Sequence, residues 1–450
     1  MNIALCTLPT TMRNKENKIT QIEGKYLYRT SSPYNIYLLA AIMEQAGYEI
    51  VIKDWISNDF DIDEALKELL DFDVVMISCP SWSWIPVRFI IESLHSIRKD
   101  QIFVLGGIHE PLFYEETIKE IPVNYVVYGE GEKAVVPLLK AIEKKISPGE
   151  VPGVIYKENG KIHKNPPAPL LTGEELGNLP LPLYERLPSG ICKWLAIESS
   201  RGCVNNCAFC SVPYKKSWRP LGAKAFVDRI EASIPCLPRV SAGEFLIIDD
   251  SFIINVKRAR EIAGELKKRK IKIKAIWNGQ VKELFEKEML SDLVPYTAGI
   301  LLGIESFDRE TLRKIGKKFS PEDILAGTQV AKDLGISEKL ILSFIIGFPW
   351  QNKEMIISEI DRIYDLICTT GGIAIINWLI LHPGSQMWSE YNRGENVHFD
   401  NHITHWREWY KRLSPDDMHE IIMYITYLQT TLPHGAYRIQ AVSHLCKNVD

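Results

Sequence analysis

No apolar run in the 450-residue chain approaches the ~18 residues that a membrane-spanning helix needs, and the opening MNIALCTLPTT has neither the basic start nor the apolar core of a signal peptide. The expected setting is therefore the cytoplasm, with no membrane contact. Basic residues are not in excess, 53 against 57 acidic ones, so the charge footprint of a dedicated nucleic-acid binder is missing. A small-molecule or peptide substrate is favoured over nucleic acid. The nine cysteines cannot all pair, and Cys6, Cys79, Cys192, Cys236, Cys368 and Cys446 are scattered, which argues against a disulfide framework. Internal repeats and low-complexity tracts are absent too. What is present is an ordinary globular composition, 46% hydrophobic and 24% charged, on a chain long enough for at least two domains.

Residues 1–145 alternate short apolar runs (IALC, EIVIKDW, DVVMISC, IFVLGG, YVVYGEGE) with amphipathic stretches such as YLLAAIMEQAGY. That rhythm predicts a doubly wound α/β domain on a parallel sheet, with its ligand site at the carboxyl ends of the strands. Residues 146–190 hold eight of the 25 prolines and read as a connector, opening on a hairpin over Asn159-Gly160. The domain boundary is expected there. Over 191–390 the alternation resumes through LAIESS, EFLIIDD, IKAIWN, AGILLGIES, LILSFIIGFP and AIINWLIL, giving six β/α units and a partial (β/α)6 barrel. Residues 391–450 are expected to be helical, with a capped start at Ser414-Pro415-Asp416-Asp417.

Directly after the first barrel strand, RGCVNNCAFC places Cys203, Cys207 and Cys210 within ten residues. A structural zinc site closes with four ligands, and an ordinary cubane takes four thiolates. The three thiols therefore leave three readings: zinc completed by a distant residue, another three-cysteine redox site, or a [4Fe–4S] cluster with one iron open. His398, His402 and His405 also recur at helix-compatible spacing; a polar helix face is favoured over a metal site, since no acidic or thiol partner stands nearby.

The CxxxCxxC loop, with Phe209 before its last cysteine, resembles the radical S-adenosylmethionine (SAM) superfamily. The resemblance implies that SAM itself chelates the fourth iron of a [4Fe–4S] cluster held by Cys203, Cys207 and Cys210. FLIIDDSF is similar to the second-strand motif that meets the SAM amino group, implicating Asp249 and Asp250. GIES resembles the ribose contact, implicating Glu305 and Ser306, while IIGFP and LHPGS resemble the turns beside the adenine, implicating Ile346, Phe348 and His382. Each alone also reads blandly, the two aspartates as a helix cap and Gly347–Pro349 as a turn. Gln280 ends the third strand where relatives often carry arginine, a departure at the SAM carboxylate contact.

The first domain resembles the cobalamin-binding domain that precedes the barrel in one radical SAM subgroup, through SPYNIYLLAAIMEQAGYEI, Ser78, GGIH with Gly106, Gly107 and His109, GEGE with Gly129 and Glu130, and the connector LPLPLYERL. Glycines at strand ends let a bulky ligand approach the backbone, and Ser78 can bond its tail. Residues 7–35 contain no histidine, so the DxHxxG loop is absent and cobalt is expected to lack a protein imidazole. Trp82 and Trp84 can line a corrin or pack in the core. The resemblance implies a cobalamin-dependent C-methyltransferase acting on an unactivated carbon through a 5′-deoxyadenosyl radical and methylcobalamin, with flavodoxin or ferredoxin as electron donor and no side-chain acid or base. The alternatives are rearrangement or cyclisation without methylation, a methylthiotransferase using a second cluster near Cys6 and Cys79, and a non-enzymatic cobalamin or redox sensor.

Overall fold

The computed structural model describes residues 1–8, 12–13, 19–20, 29–55, 62–80, 83–107, 110–391, 412–431 and 439–442. These form two compact units, one from Met1–Ala196 with Ala232–Gly243, the other from Ile197–Glu231 and from Glu244 onward.

In the first unit, strands and helices alternate as β1 (Ile3–Thr7), α1 (Tyr34–Gln45), β2 (Ile50–Asp54), α2 (Ile62–Leu69), β3 (Val74–Ser78), α3 (Trp84–Ile97), β4 (Ile102–Gly106), α4 (Glu110–Glu120), β5 (Tyr125–Val127) and α5 (Val135–Lys144). The strands stand in the order β5-β4-β3-β1-β2, and the β1/β2, β1/β3, β3/β4 and β4/β5 pairs are parallel. This is the doubly wound arrangement that the apolar runs predict. All five residues of β1 are buried, as expected of a strand covered by helices on both faces. Chain order reverses between β1 and β3, so a ligand crevice is expected where those two strands end.

The connector behaves differently from an extended linker. Val154–Glu158 (β6) and Lys161–Lys164 (β7) form an antiparallel hairpin that adds to the same sheet beside β5. Asn159 and Gly160 both take positive φ, 51° and 76°, the two-residue turn that suits a right-twisted hairpin. The first unit then runs on to Ala196, through most of β8 (Cys192–Ile197), rather than ending within 146–190.

In the second unit β9 (Glu244–Ile247), β10 (Ala275–Gly279), β11 (Thr297–Glu305), β12 (Leu340–Ile346), β13 (Ile373–Trp378) and β14 (Ile439–Val442) pair in parallel as a curled half-barrel. Ile248 N–H donates to Ile197 O at the foot of the thiol loop. Along β12 the side chains alternate between fully and partly buried, one row under the helices and one toward the concave face. The helices α6 (Val256–Lys268), α7 (Arg309–Lys314), α8 (Pro321–Asp333) and α9 (Lys353–Thr370) start at Asn255, Asp308, Ser320 and Asn352, whose side chains accept a backbone N–H of the first turn. Helix α10 (Pro415–Thr431) packs on α9 through Lys353, which pairs with Asp417 and Glu420 at 3.1 and 2.8 Å. No described helix is long and apolar enough to cross a membrane.

Candidate functional site

The thiol loop is fixed by backbone contacts that begin at Gly202. Its φ is 82°, and a Cβ there would lie 2.2 Å from Ser217 O and 2.8 Å from Tyr214 O, so only glycine fits. Lys216 N–H donates to Cys203 O at 2.6 Å, Ala208 N–H to Ile315 O at 3.0 Å, and Met387 N–H to Ala208 O at 2.9 Å. Ala208, with Phe209 against it, packs with Phe348, Leu379 and Leu381. The CAFC, IGFP and LHPGS segments thus meet in one cluster.

All three thiols are free and partly exposed. Asn205 donates to Cys203 Sγ from its backbone and its side chain at 3.5 and 3.4 Å, and Val212 N–H donates to Cys210 Sγ at 3.4 Å. Such donors favour thiolate. Burial pushes the Cys207 and Cys210 thiols up, opposed by Lys317 at Cys207 and by the Val212 N–H and Lys215 at Cys210. Among the described residues no three His, Cys, Asp or Glu side chains converge on a single-ion site. In a cubane each thiolate ligates a different iron, so a loop presenting three sulfurs, two of them with N–H donors and the third beside the Lys317 charge, fits that larger group.

Around this loop the strand ends bring together some expected residues and withdraw others. Asp249 is 2% exposed; its carboxylate accepts from Ser199 N–H, Ser199 Oγ and Ser200 Oγ at 2.7, 2.5 and 2.6 Å, which engages both oxygens. Burial raises its pKa despite those bonds. Asp250 is exposed, with Oδ2 accepting from Gly202 N–H at 3.1 Å. Gln280 caps the following turn in a reciprocal pair with Glu283 and is occupied there. Ser306 is fully buried and accepts from Asp308 N–H at 2.9 Å. Ile346 and Phe348 are buried, Phe348 stacking on Trp350 at 5.1 Å, and Gln351 Oε1 accepts from the Gly347 and Phe348 N–H groups at 2.9 Å each. Burial depresses the His382 imidazole.

Glu305 ends β11 at a register shift against β12 and holds φ 69°, rare for a residue with a side chain. Its Oε1 accepts from Lys317 Nζ at 2.9 Å, and Lys317 also donates to Gly303 O at 2.8 Å. Burial alone would depress that ammonium, but Glu305 and the thiols of Cys207 and Cys210 outweigh it and hold it above its ordinary value. Its Nζ stands 6.0 Å from the Phe209 ring centroid. Lys317 is the residue that sequence reading missed; a lysine in the loop GKK after a short helix looks like solvated charge.

In the first unit, Ser78 ends β3 with its Oγ accepting from Asn35 Nδ2 at 2.8 Å. Gly106 would tolerate a Cβ, its nearest neighbour lying 3.7 Å away, whereas at Gly107, φ 125°, a Cβ would meet Cys79 O at 2.5 Å. The protein's own backbone already requires that glycine. Gly129 has φ 80°, and Glu130 is buried with Oε2 accepting from Leu171 N–H at 2.6 Å, an internal tie. Ser78 and Gly106 thus remain at the β1/β3/β4 edge, where a doubly wound sheet takes its ligand. Trp84, Cys6 and Cys79 lie in the core, and burial pushes the Cys6 thiol strongly up. His109, Trp82, His398, His402 and His405 fall outside the described residues.

A half-barrel with three thiols on its first loop, joined to a doubly wound ligand-binding unit, defines an enzyme class built around an open metal cluster. Residues 197–363 match the radical SAM superfamily, and residues 26–139 match the B12 binding domain. It is 28% identical to an uncharacterized methyltransferase of Pyrococcus horikoshii over 404 residues, 87% of this chain and 83% of that protein. It is also 27% identical to an anaerobic magnesium-protoporphyrin IX monomethyl ester cyclase of Rubrivivax gelatinosus, covering 72% of this chain and 60% of that one. In fold it is similar to the radical SAM methyltransferase TsrM of Kitasatospora setae with cobalamin and a [4Fe–4S] cluster bound, at TM-score 0.66 and 17% identity over 86% of this chain and 74% of that one.

Proposed function

We propose that this enzyme is a cobalamin-dependent radical SAM C-methyltransferase that modifies an unactivated carbon of a small molecule or peptide. The observation that carries the proposal is the loop of three free thiols, two of them N–H-supported, packed against the turns after β12 and β13, in a chain that also matches the B12 binding domain. When bound, the cluster, SAM and cobalamin supply radical generation and a transferable methyl group.

In this reading Cys203, Cys207 and Cys210 hold the cluster. Asp250, exposed beside Gly202, receives the SAM amino group, and Asp249 fixes the first strand's exit rather than touching SAM. Glu305 takes the ribose hydroxyls. With Gln280 engaged in its own turn, Lys317 supplies the cation for the SAM carboxylate and keeps positive charge beside the thiolates. Phe209, Ile346, Phe348 and His382 border the adenine as an apolar, partly buried wall that limits water. Ser78 and Gly106 form the cobalamin edge of the first unit, with Gly107, Gly129 and Glu130 shaping the loops behind it. The cluster would take its electron from a donor of the flavodoxin or ferredoxin kind.

Similarity to the methyltransferases supports methyl transfer; similarity to the cyclase supports a second reading, ring closure without methylation. Product mass separates them. A product one methylene heavier than the substrate, with label from methyl-labelled SAM, supports methyl transfer; a dehydrogenated product without label overturns it in favour of cyclisation. The methylthiotransferase reading finds no support in Cys6 and Cys79, which are core residues.

A further inference from the structure

Glu305 and Lys317 cannot hold their geometry alone, because Glu305 sits in the left-handed region at a register shift, a conformation that persists only when its surroundings over-determine it. The next residues show where the constraint originates. Phe307 N–H donates to Glu359 Oε1, and Phe307 O accepts from Arg362 at 3.3 Å. Both backbone groups of one residue are therefore held by side chains one helical turn apart on α9. Ser306 beside it is fully buried, and its Oγ accepts from Asp308 N–H at 2.9 Å. Phe307 stacks on Phe344 of β12 at 5.6 Å, which closes the remaining direction. Glu359 is 3% exposed. A carboxyl buried in mid-helix is unfavourable unless it is paired, and its partner here is the backbone N–H of Phe307, two residues after Glu305.

We propose that Glu359, with Arg362, is a positioning residue that clamps the Ser306–Phe307 turn and thereby aims the Glu305 carboxylate and its Lys317 partner into the SAM site. The proposal rests on the reading of Glu305 as a SAM contact. Glu359 touches neither the cofactor nor the thiols; it acts through the backbone of its neighbours. Glutamine preserves the oxygen that accepts from Phe307 N–H, and alanine removes it, leaving a buried donor unpaired.

The test is SAM affinity by calorimetry on cluster-loaded protein, comparing wild type with Glu359→Ala, Glu359→Gln and Glu305→Ala, with iron and sulfide counts as the check on the cluster. Glu359→Ala is expected to weaken SAM binding by about tenfold or more with a full cluster, and Glu359→Gln to restore most of it. If Glu305→Ala weakens binding while both Glu359 variants bind as wild type does, the clamp is refuted. If Glu305→Ala itself binds normally, the reading of the SAM site fails instead. Should Glu359→Ala not fold, the glutamine variant with Arg362→Met decides the matter: loss of affinity in Arg362→Met with a full cluster supports the clamp, and wild-type affinity in both overturns it.

Discussion

Replacing Lys317 by methionine should expose how far the site depends on one buried ion pair. Both side chains are only 9% exposed, and their charged atoms lie 2.9 Å apart. Methionine keeps the apolar stem but leaves the Glu305 carboxylate buried without its cation, and Gly303 O loses its donor. Breaking a buried pair from one side costs about 3–5 kcal/mol, whereas removing both charges together is often nearly neutral. The Lys317→Met/Glu305→Gln double variant should therefore be more stable than Lys317→Met, with a coupling energy of at least about 2 kcal/mol. The structure adds an independent check: a Cβ at Gly303 would sit 2.6 Å from Glu305 Oε1 and 3.2 Å from Lys317 Nζ, so Gly303→Ala should disturb the same pair. Anaerobic denaturant unfolding of metal-free protein, followed by tryptophan fluorescence for wild type, both singles and the double, gives the cycle. If the two single losses add to within about 0.5 kcal/mol, the residues do not depend on each other and the account of the site is wrong.

Other consequences can be checked separately. Gly202→Ala should abolish cluster assembly, because the added methyl meets Ser217 O, whereas Gly222→Ala, with nothing within 4 Å, should not; equal iron content in both would refute the loop geometry. Burial pushes the Glu359 carboxyl to about 7 from an ordinary value of 4.5. Its neutral form is thus favoured by folding, and the stability it contributes is full below about pH 4.5 and lost as pH rises through about 7. Glu359→Gln should gain on wild type by up to about 3 kcal/mol between those limits, and a pH-independent difference in melting behaviour would contradict this. Cobalamin bound to the first unit should have its dimethylbenzimidazole displaced and no histidine nitrogen in its place, so cob(II)alamin in the protein should show no axial nitrogen splitting by electron paramagnetic resonance; a clear splitting would refute that expectation. Because Gly107 is already required by Cys79 O, Gly106 is the better position for blocking the ligand with a bulky side chain.

The strands of both units were legible in the sequence because parallel strands covered by helices are continuous apolar runs such as VVMIS and LILSFII. The hairpin turn was equally plain from Asn159-Gly160. Its attachment to the first sheet was not, since pairing between β5 and β6 joins Tyr125 to Tyr156 and Val127 to Val154, contacts far apart in the chain that no local pattern encodes. The same limit applies to the site. The thiol spacing and GIES are contiguous, and so stand out. Lys317 and Glu359 act from another loop and another helix, where a lysine or a glutamate ordinarily means solvent. Asp249 and Asp250 are adjacent and chemically identical, and only the fold shows that one points inward to Ser199 and Ser200 while the other meets Gly202 N–H.

The central claim, that three thiolates hold a cluster whose open iron SAM completes, is tested most directly by anaerobic reconstitution with iron and sulfide, then reduction in the presence of SAM. Wild-type protein, and a control variant with Cys236→Ala, should yield 5′-deoxyadenosine and methionine. Replacing Cys203, Cys207 and Cys210 together by alanine should abolish the iron–sulfur chromophore and both products; reductive SAM cleavage by that triple variant would contradict the account.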